Sequence, residues 1–85
     1  MPMLTLKFFA SLREALNCSS EQFVLPEGVN TLGALRRVLS DRGGEWRRLT
    51  EQRSLRCAVN QEMANDETPI GSDDEVAFFP PVTGG

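Results

Sequence analysis

The stretch that most constrains the fold is the last one, where a strongly apolar run passes into two prolines and then into two glycines, VAFFPPVTGG over residues 76–85. The run is apolar on both of its alternating faces, which is typical of a strand in the middle of a sheet. Pro80 and Pro81 lack a backbone N–H group, so the strand has to end there. We therefore expect a folded domain over residues 1–80 and a flexible tail over residues 81–85.

The tail is the candidate functional segment. Gly84 and Gly85 have no Cβ atom, so their backbone can pass through a narrow channel and approach another active site closely. From Pro80 to Gly85 the chain reaches at most about 20 Å. We predict that the α-carboxylate of Gly85 is the working group and that it needs activation, typically by adenylation, before a nucleophile or sulfur donor attacks it. The competing interpretation is an inert flexible end.

Length and charge exclude several classes of protein. The 85 residues suffice for one small domain, and the formal net charge of −3 provides no basic footprint for nucleic acid. The same charge is unsuited to an anionic membrane surface. No apolar stretch approaches the roughly 20 residues of a membrane span, and the first residues do not resemble a signal peptide. These features favour a soluble cytoplasmic protein that binds neither nucleic acid nor membrane.

The residue types needed for catalysis within the chain are largely missing. The sequence contains no histidine, the commonest general base and metal ligand, which excludes Ser-His-Asp and Cys-His arrangements. Cys18 and Cys57 are far apart and lack the spacing of metal ligands, so we predict no metal site. Cys57 alternates with Leu55 and Val59, which indicates a buried strand position.

Hydrophobic periodicity predicts a mixed set of strands and helices. Residues 3–9 alternate as a strand with one buried face, and Phe9 is an unexpected aromatic residue on its mostly polar side. The other predicted elements are a short helix over 10–16, a strand over 21–25, a main helix from a cap at Asn30 or Thr31 to about Arg42, a short helical turn within 45–52, a strand over 55–60, a short return strand at 63–64 and a last strand over 75–79.

This order of elements predicts an α+β chain with the β-grasp, or ubiquitin-like, fold. We expect a mixed sheet of four to five strands with one main helix packed on one face. The first and last strands should form a parallel pair in the middle of the sheet. The arginines between residues 36 and 56 are interpreted as a solvated face.

Four segments carry a resemblance to a known family. They are LKFFASLRE near the start, TLGALRRVL in the main helix, RCAVNQE in the following strand and GSDDEVAFFPPVTGG at the end. Together they resemble the MoaD/ThiS family of sulfur carriers, and the last segment is most similar to the molybdopterin branch of that family. The resemblance covers essentially the whole chain.

The resemblance implies a mechanism centred on Gly85. An ATP-dependent activating enzyme would adenylate its carboxylate, and a sulfur donor would convert the acyl-adenylate to a thiocarboxylate. The tail would then enter the large subunit of molybdopterin synthase and give its sulfur to cyclic pyranopterin monophosphate. The chain would not be an enzyme on its own and would bind no cofactor, because the catalytic side chains would lie on the large subunit.

The resemblance also implies a partner surface. The assembly would be a heterotetramer of two small and two large subunits. Phe9, Arg13 and Phe79 match positions at the surface that meets the partner, although both aromatic residues could equally serve core packing. The remaining residues implied in partner binding are Pro80, Pro81, Val82 and Thr83, with Gly84 beside the reactive group.

Three alternatives remain open. A thiamine-pathway sulfur carrier would share the fold and the Gly-Gly chemistry, although the segment FFPPVTGG favours the molybdopterin branch. A ubiquitin-like modifier would use the same acyl-adenylate but would be attached through Gly85 to lysines of target proteins. A plain interaction domain with an inert tail would not depend on Gly85 at all.

Overall fold

A computed structural model describes residues 2–51 and 55–80 of the chain. In chain order the elements are β1 Met3–Phe8, α1 Ala10–Leu16, β2 Ser20–Val24, α2 Leu32–Ser40, a 3₁₀ turn Gly44–Arg47, α3 Arg48–Glu51, β3 Arg56–Val59, β4 Glu62–Ala64 and β5 Glu75–Phe79. Among these residues no helix has the length and apolar character needed to span a bilayer.

The five strands form one mixed sheet in the order β2-β1-β5-β3-β4. β1 and β5 run parallel, with Lys7 opposite Ala77 and Phe8 opposite Phe78. The other three strand pairs are antiparallel. The β-grasp prediction is therefore confirmed, including the position of the last strand at the centre of the sheet, next to the first.

The inner face of the sheet forms the hydrophobic core with the helices. Leu4, Leu6 and Phe8 alternate along β1 and are at most 1% exposed. The ring of Phe8 stacks on Phe78 with centroids 5.6 Å apart and meets Trp46 edge-on at 5.4 Å. Each such aromatic contact adds roughly 0.5–1.5 kcal/mol beyond the buried area, so the core ties both central strands to the 3₁₀ turn.

The main helix, α2, covers the core with a stripe of leucines. Leu32, Leu35 and Leu39 recur at helical spacing and are fully buried. Thr31 caps the helix, because its Oγ1 accepts the backbone N–H of Ala34 at 3.3 Å. A cap of this kind stabilises a helix by about 1 kcal/mol. Of the two cap residues considered from the sequence, the structure selects threonine.

The end of α2 comes earlier than the sequence pattern indicates. The helix ends at Ser40, whereas the pattern predicted about Arg42. Arg42 instead donates two hydrogen bonds to the carboxylate of Glu21, at 2.9 and 2.6 Å. Its guanidinium also lies 4.3 Å from the ring centroid of Trp46 and 5.6 Å from that of Phe23. These contacts between distant segments outweigh the local preference of Arg42 for a helix.

The loop before β5 is joined to the sheet by a polar network. Asn60 Nδ2 donates to Asp74 Oδ1 at 3.0 Å, and Asn60 Oδ1 accepts the backbone N–H of Glu75 at 3.0 Å. The backbone N–H of Asn60 donates to the carbonyl of Glu75 at 2.8 Å, and that of Asp73 to the carbonyl of Met3 at 2.8 Å. Asn60 has a φ of 51°, a left-handed conformation that asparagine tolerates better than most residues. The network sets the register of β5 at its first residue.

Candidate functional site

The candidate site begins where β5 leaves the sheet. The last cross-strand pair of β5 joins Phe79 to Arg56 of β3. Pro80 follows, and it has no backbone N–H with which to continue the ladder. The predicted site residues beyond it lie outside the described part of the chain: Pro81, Val82, Thr83, Gly84 and Gly85.

Two phenylalanines lie beside this exit and form the aromatic pair, Phe9 and Phe79. Their rings meet edge-on with centroids 6.4 Å apart and an interplanar angle of 74°. Phe9 is 44% exposed, which is unusual for so large an apolar side chain. Its backbone N–H donates to the carbonyl of Phe78 at 3.2 Å, which holds the end of β1 against β5. The structure thus brings together two of the predicted partner-binding residues.

Arg13 lies on the last turn of the short helix α1, which follows Phe9. The chain enters this helix through Ala10, whose φ is 54°, and the N–H of Arg13 donates to the carbonyl of Phe9 at 3.3 Å. Leu12 and Leu16 are the buried residues of α1, and Arg13 is exposed. The structure therefore pairs Phe9 with Phe79 and connects Arg13 to Phe9 through one turn of backbone.

The face of the sheet opposite the core, here called the outer sheet face, includes Phe79. Ala77 lies opposite Ala58, and Ala58 lies opposite Met63 on the edge strand β4. The two alanines are small, whereas Met63 is 61% exposed. The two alanines form a shallow apolar area between the aromatic pair and the exposed side chain of Met63. Met63 was predicted in the return strand but not among the site residues, because its place on this face depends on strand register.

The two cysteines of the described structure are both free thiols. Burial raises the pKa of the Cys57 thiol to about 11, so this thiol stays protonated at neutral pH. The thiol of Cys18 donates to the carbonyl of Ser20 at 3.3 Å. Within residues 2–51 and 55–80, no group of histidine, cysteine or acidic side chains could hold a metal ion.

A groove of about 500 Å³ lies between the start of α2 and strands β3 and β4. Arg36 in its lining donates to Asp66 Oδ1 at 2.7 Å and to the carbonyl of Leu49 at 2.6 Å. Arg56 also lines the groove, and no ion pair joins it to a carboxylate of the described residues. The guanidinium of Arg36 therefore joins α2 to α3 and to the loop after β4. Its role in the described structure is to connect these elements.

The fold and the site together define a class of protein. A main helix packs on one face of a small mixed sheet. The central strand β5 ends at Phe79, whose ring pairs with the exposed ring of Phe9. This is a β-grasp domain of the ubiquitin-like class. The ThiS family model matches residues 6–85, and the chain therefore belongs to the ThiS family.

Relatives and solved structures agree with this assignment. The molybdopterin synthase sulfur carrier subunit of Haemophilus influenzae is 39% identical over 83 residues, which cover 98% of this chain and 100% of the relative. The crystal structure of SAMP1 from Haloferax volcanii has a TM-score of 0.77 at 24% identity, covering 98% of this chain and 99% of that one. The latter similarity supports the fold.

A further solved structure contains a partner. It is a protein–protein complex of subunits 1 and 2 of the molybdopterin-converting factor from Helicobacter pylori. The similar chain in it has a TM-score of 0.65 at 25% identity, with coverage of 98% of this chain and 99% of that chain. A similar chain thus occurs in a complex with a second subunit.

Proposed function

We propose that this chain is a sulfur carrier in molybdopterin biosynthesis and that Gly85 carries the sulfur as a thiocarboxylate. The single observation that carries the proposal is the position of the end of β5. This central strand ends at Phe79 beside the exposed Phe9, and the Pro-Pro and Gly-Gly segment follows it in the sequence. The curated relative with the same role supports it. The segment FFPPVTGG favours the molybdopterin branch over the thiamine branch of the family.

The proposed chemistry starts from an unreactive carboxylate. An oxygen of the Gly85 carboxylate attacks the α-phosphate of ATP on an activating enzyme, and pyrophosphate leaves. The outer sulfur of a persulfide donor then attacks the acyl-adenylate carbonyl, and AMP leaves. A thiol cleaves the resulting acyl disulfide, which yields the thiocarboxylate and a disulfide on the donor. The ionised sulfur is a soft nucleophile that forms a carbon–sulfur bond with cyclic pyranopterin monophosphate, and hydrolysis of the acyl–sulfur bond leaves the sulfur on the product and restores the Gly85 carboxylate. The role of ATP therefore belongs to the activating enzyme, and this chain binds no cofactor.

The division of the chain follows from this chemistry. We assign residues 1–80 to a β-grasp domain and residues 81–85 to a flexible tail. Pro80 and Pro81 stiffen the exit, Val82 and Thr83 extend it, and the reach from Pro80 to the terminus is at most about 20 Å. Gly84 and Gly85 keep the end thin, so that the sulfur can reach the substrate inside a partner.

The proposed acceptor is the large subunit of molybdopterin synthase. The aromatic pair and Arg13 would contact this subunit at the base of the tail, and the assembly would contain two small and two large subunits in the cytoplasm. The Helicobacter pylori complex of two such subunits supports the pairing. The large subunit would supply the acid and base groups, so the chain on its own would not be an enzyme.

The test is an intact-mass measurement on the chain purified from a host with active sulfur-transfer enzymes and a disabled large subunit. Replacement of one carboxylate oxygen by sulfur adds about 16 mass units to the terminus. Methionine oxidation adds nearly the same, so the shift must disappear after alkylation and hydrolysis and must be absent when Gly85 is deleted. A chain that shows no shift, or isopeptide adducts on lysines in its place, would contradict the carrier and favour a modifier.

A further inference from the structure

The arginines of the described chain fall into two groups. Four form ion pairs with carboxylates of the same chain, namely Arg36, Arg42, Arg47 and Arg48. Across residues 2–51 and 55–80, no ion pair joins Arg13, Arg37 or Arg56 to a carboxylate. An exposed arginine that has no carboxylate partner among the described residues can form an ion pair with a carboxylate of another molecule.

Arg56 occupies a distinctive place among these three. It is the first residue of β3 and lies directly opposite Phe79, the last residue of β5. Its neighbour Cys57 faces the core, so the alternation of the strand turns Arg56 to the outer sheet face, where it is exposed. Phe79 packs against Phe9, and Arg13 follows Phe9 by one helical turn. Arg56 is therefore the cross-strand neighbour of one ring of the aromatic pair, and Arg13 lies one helical turn after the other.

Charge along β5 changes from acidic to basic. The strand is preceded by Asp73 and Asp74 and begins at Glu75; of these three, only Glu75 forms an ion pair with another described residue, Lys7 at 3.6 Å. The other end of the strand has Arg56 as its cross-strand neighbour. Because the whole chain has a net charge of −3, an exposed arginine at this end is a local exception to the acidic character of the chain.

We propose that Arg56, together with Arg13, guides the sulfur-accepting subunit onto the end of β5 through carboxylates that border an apolar pocket on that subunit. The inference rests on the proposed function, because it assumes that the partner receives the tail. An exposed arginine–carboxylate pair adds little to equilibrium stability. Complementary rim charges act mainly on the association rate and on the orientation of the encounter. Arg56 is thus a docking residue whose contribution is kinetic.

The test compares association rate constants of the full chain with the large subunit, measured by stopped-flow fluorescence. We expect Arg56→Glu to lower the rate constant roughly tenfold at about 0.1 M salt. At about 1 M salt the Debye length falls to about 3 Å, and the difference should shrink below about twofold. Arg56→Lys keeps the charge and should stay within about threefold of the parent chain.

Arg37→Glu is the matched control. Arg37 is also an exposed arginine outside the ion pairs of the described chain, but it lies on α2, on the helical side of the sheet. Its reversal changes the net charge by the same amount and should alter the rate constant by less than about twofold. The proposal is overturned when Arg56→Glu is no slower than Arg37→Glu, or when its slowing persists at high salt.

A second readout separates this proposal from the proposed function. At saturating large subunit, the Arg56→Glu chain bearing a thiocarboxylate should form as much molybdopterin as the parent chain. A lower final yield would show that Arg56 acts after docking and would contradict the proposal. Failure of the parent chain to acquire a thiocarboxylate would contradict the proposed function instead, because the docking assay uses the unmodified carboxylate form.

Discussion

The two ends of β5 are built in opposite ways. At its start, Asn60 bonds to Asp74 and Glu75 through three hydrogen bonds that fix the strand against β3. At its end, Phe79 lies on the outer sheet face against Phe9, and pairing stops. The start of β5 is thus held by side-chain as well as backbone hydrogen bonds, whereas its end combines strand pairing with a partly exposed aromatic side chain.

The largest effect is expected from a change in residues 81–85, which follow the end of β5 in the sequence. Deletion of Gly85 moves the carboxylate back by one residue, about 3.5 Å, and should abolish molybdopterin formation in a reconstituted synthase. The free energy of unfolding and the affinity for the large subunit should change little, because Gly85 lies five residues beyond Pro80, the last residue assigned to the folded domain. Gly85→Ala should have the same outcome. Product formation by either variant would contradict the role of the tail.

The next largest effect is a loss of stability, and it is expected on the inner face of β5. Phe78→Ala removes a fully buried ring that stacks on Phe8. Such a truncation should lower the free energy of unfolding by about 3–5 kcal/mol in urea denaturation. If that variant does not fold, Phe78→Leu should show a smaller loss of the same sign. A loss below about 1 kcal/mol would show that the core does not depend on this ring.

The adjacent residue provides the counterpart on the outer face. Phe79→Ala should lower the free energy of unfolding by no more than about 1 kcal/mol, because its ring is partly exposed. The affinity for the large subunit, measured by calorimetry, should fall by about 2 kcal/mol, roughly 30-fold. An unchanged affinity would remove the aromatic pair from the docking surface.

An effect of similar size is expected at the start of β5, where Asn60 holds the strand. Asn60→Ala removes the side-chain bonds to Asp74 and Glu75 and places alanine at a φ of 51°. The free energy of unfolding should fall by about 2 kcal/mol, with faster hydrogen exchange of the β5 amides. Asn60→Gly loses the same bonds but adopts the left-handed backbone freely, so it should be the milder variant. The reverse order would show that backbone strain does not contribute.

The smallest effect is a dependence on alkaline pH. Cys57 lies on the inner face opposite Phe78, and burial raises the pKa of its thiol from 9.0 to about 11. The folded state therefore retains a proton that the unfolded state loses, so the stabilisation is complete below pH 9 and is lost as pH rises toward 11. The loss should be on the order of 1–2 kcal/mol. Cys57→Val should flatten this part of the stability curve, and an unchanged curve would contradict the assignment.

Much of the fold was predictable because the hydrophobic pattern of each strand agrees with its place in the sheet. The apolar character of β5 on both faces predicted its central place, and the alternation of β1 marked Phe9 as an outward aromatic residue. The pairing of Phe9 with Phe79 follows from the parallel register of two strands that the sequence already indicated. Residues 81–85 remain a prediction, because they lie outside the described part of the chain.

The features that sequence reasoning missed depend on contacts between distant segments. Met63 joins the outer sheet face only through the register of β4 on β3. Arg56 lies opposite Phe79 only because β3 and β5 are antiparallel neighbours. The middle arginines were interpreted as a solvated face, yet Arg36 and Arg42 bridge distant elements through ion pairs. The local sequence pattern indicates whether a residue is buried or exposed, but it does not indicate which distant residue it pairs with.

The parallel pairing of β1 with β5 has a consequence for folding kinetics. The two strands come from opposite ends of the described chain, so their contacts carry the largest loop-closure cost and should form late. Until they form, Phe9 has no Phe79 against which to pack, and the tail has no fixed point of departure. A partly folded or truncated chain would therefore lack the complete docking surface. Under the proposed function, this topology would restrict docking to molecules that have finished folding.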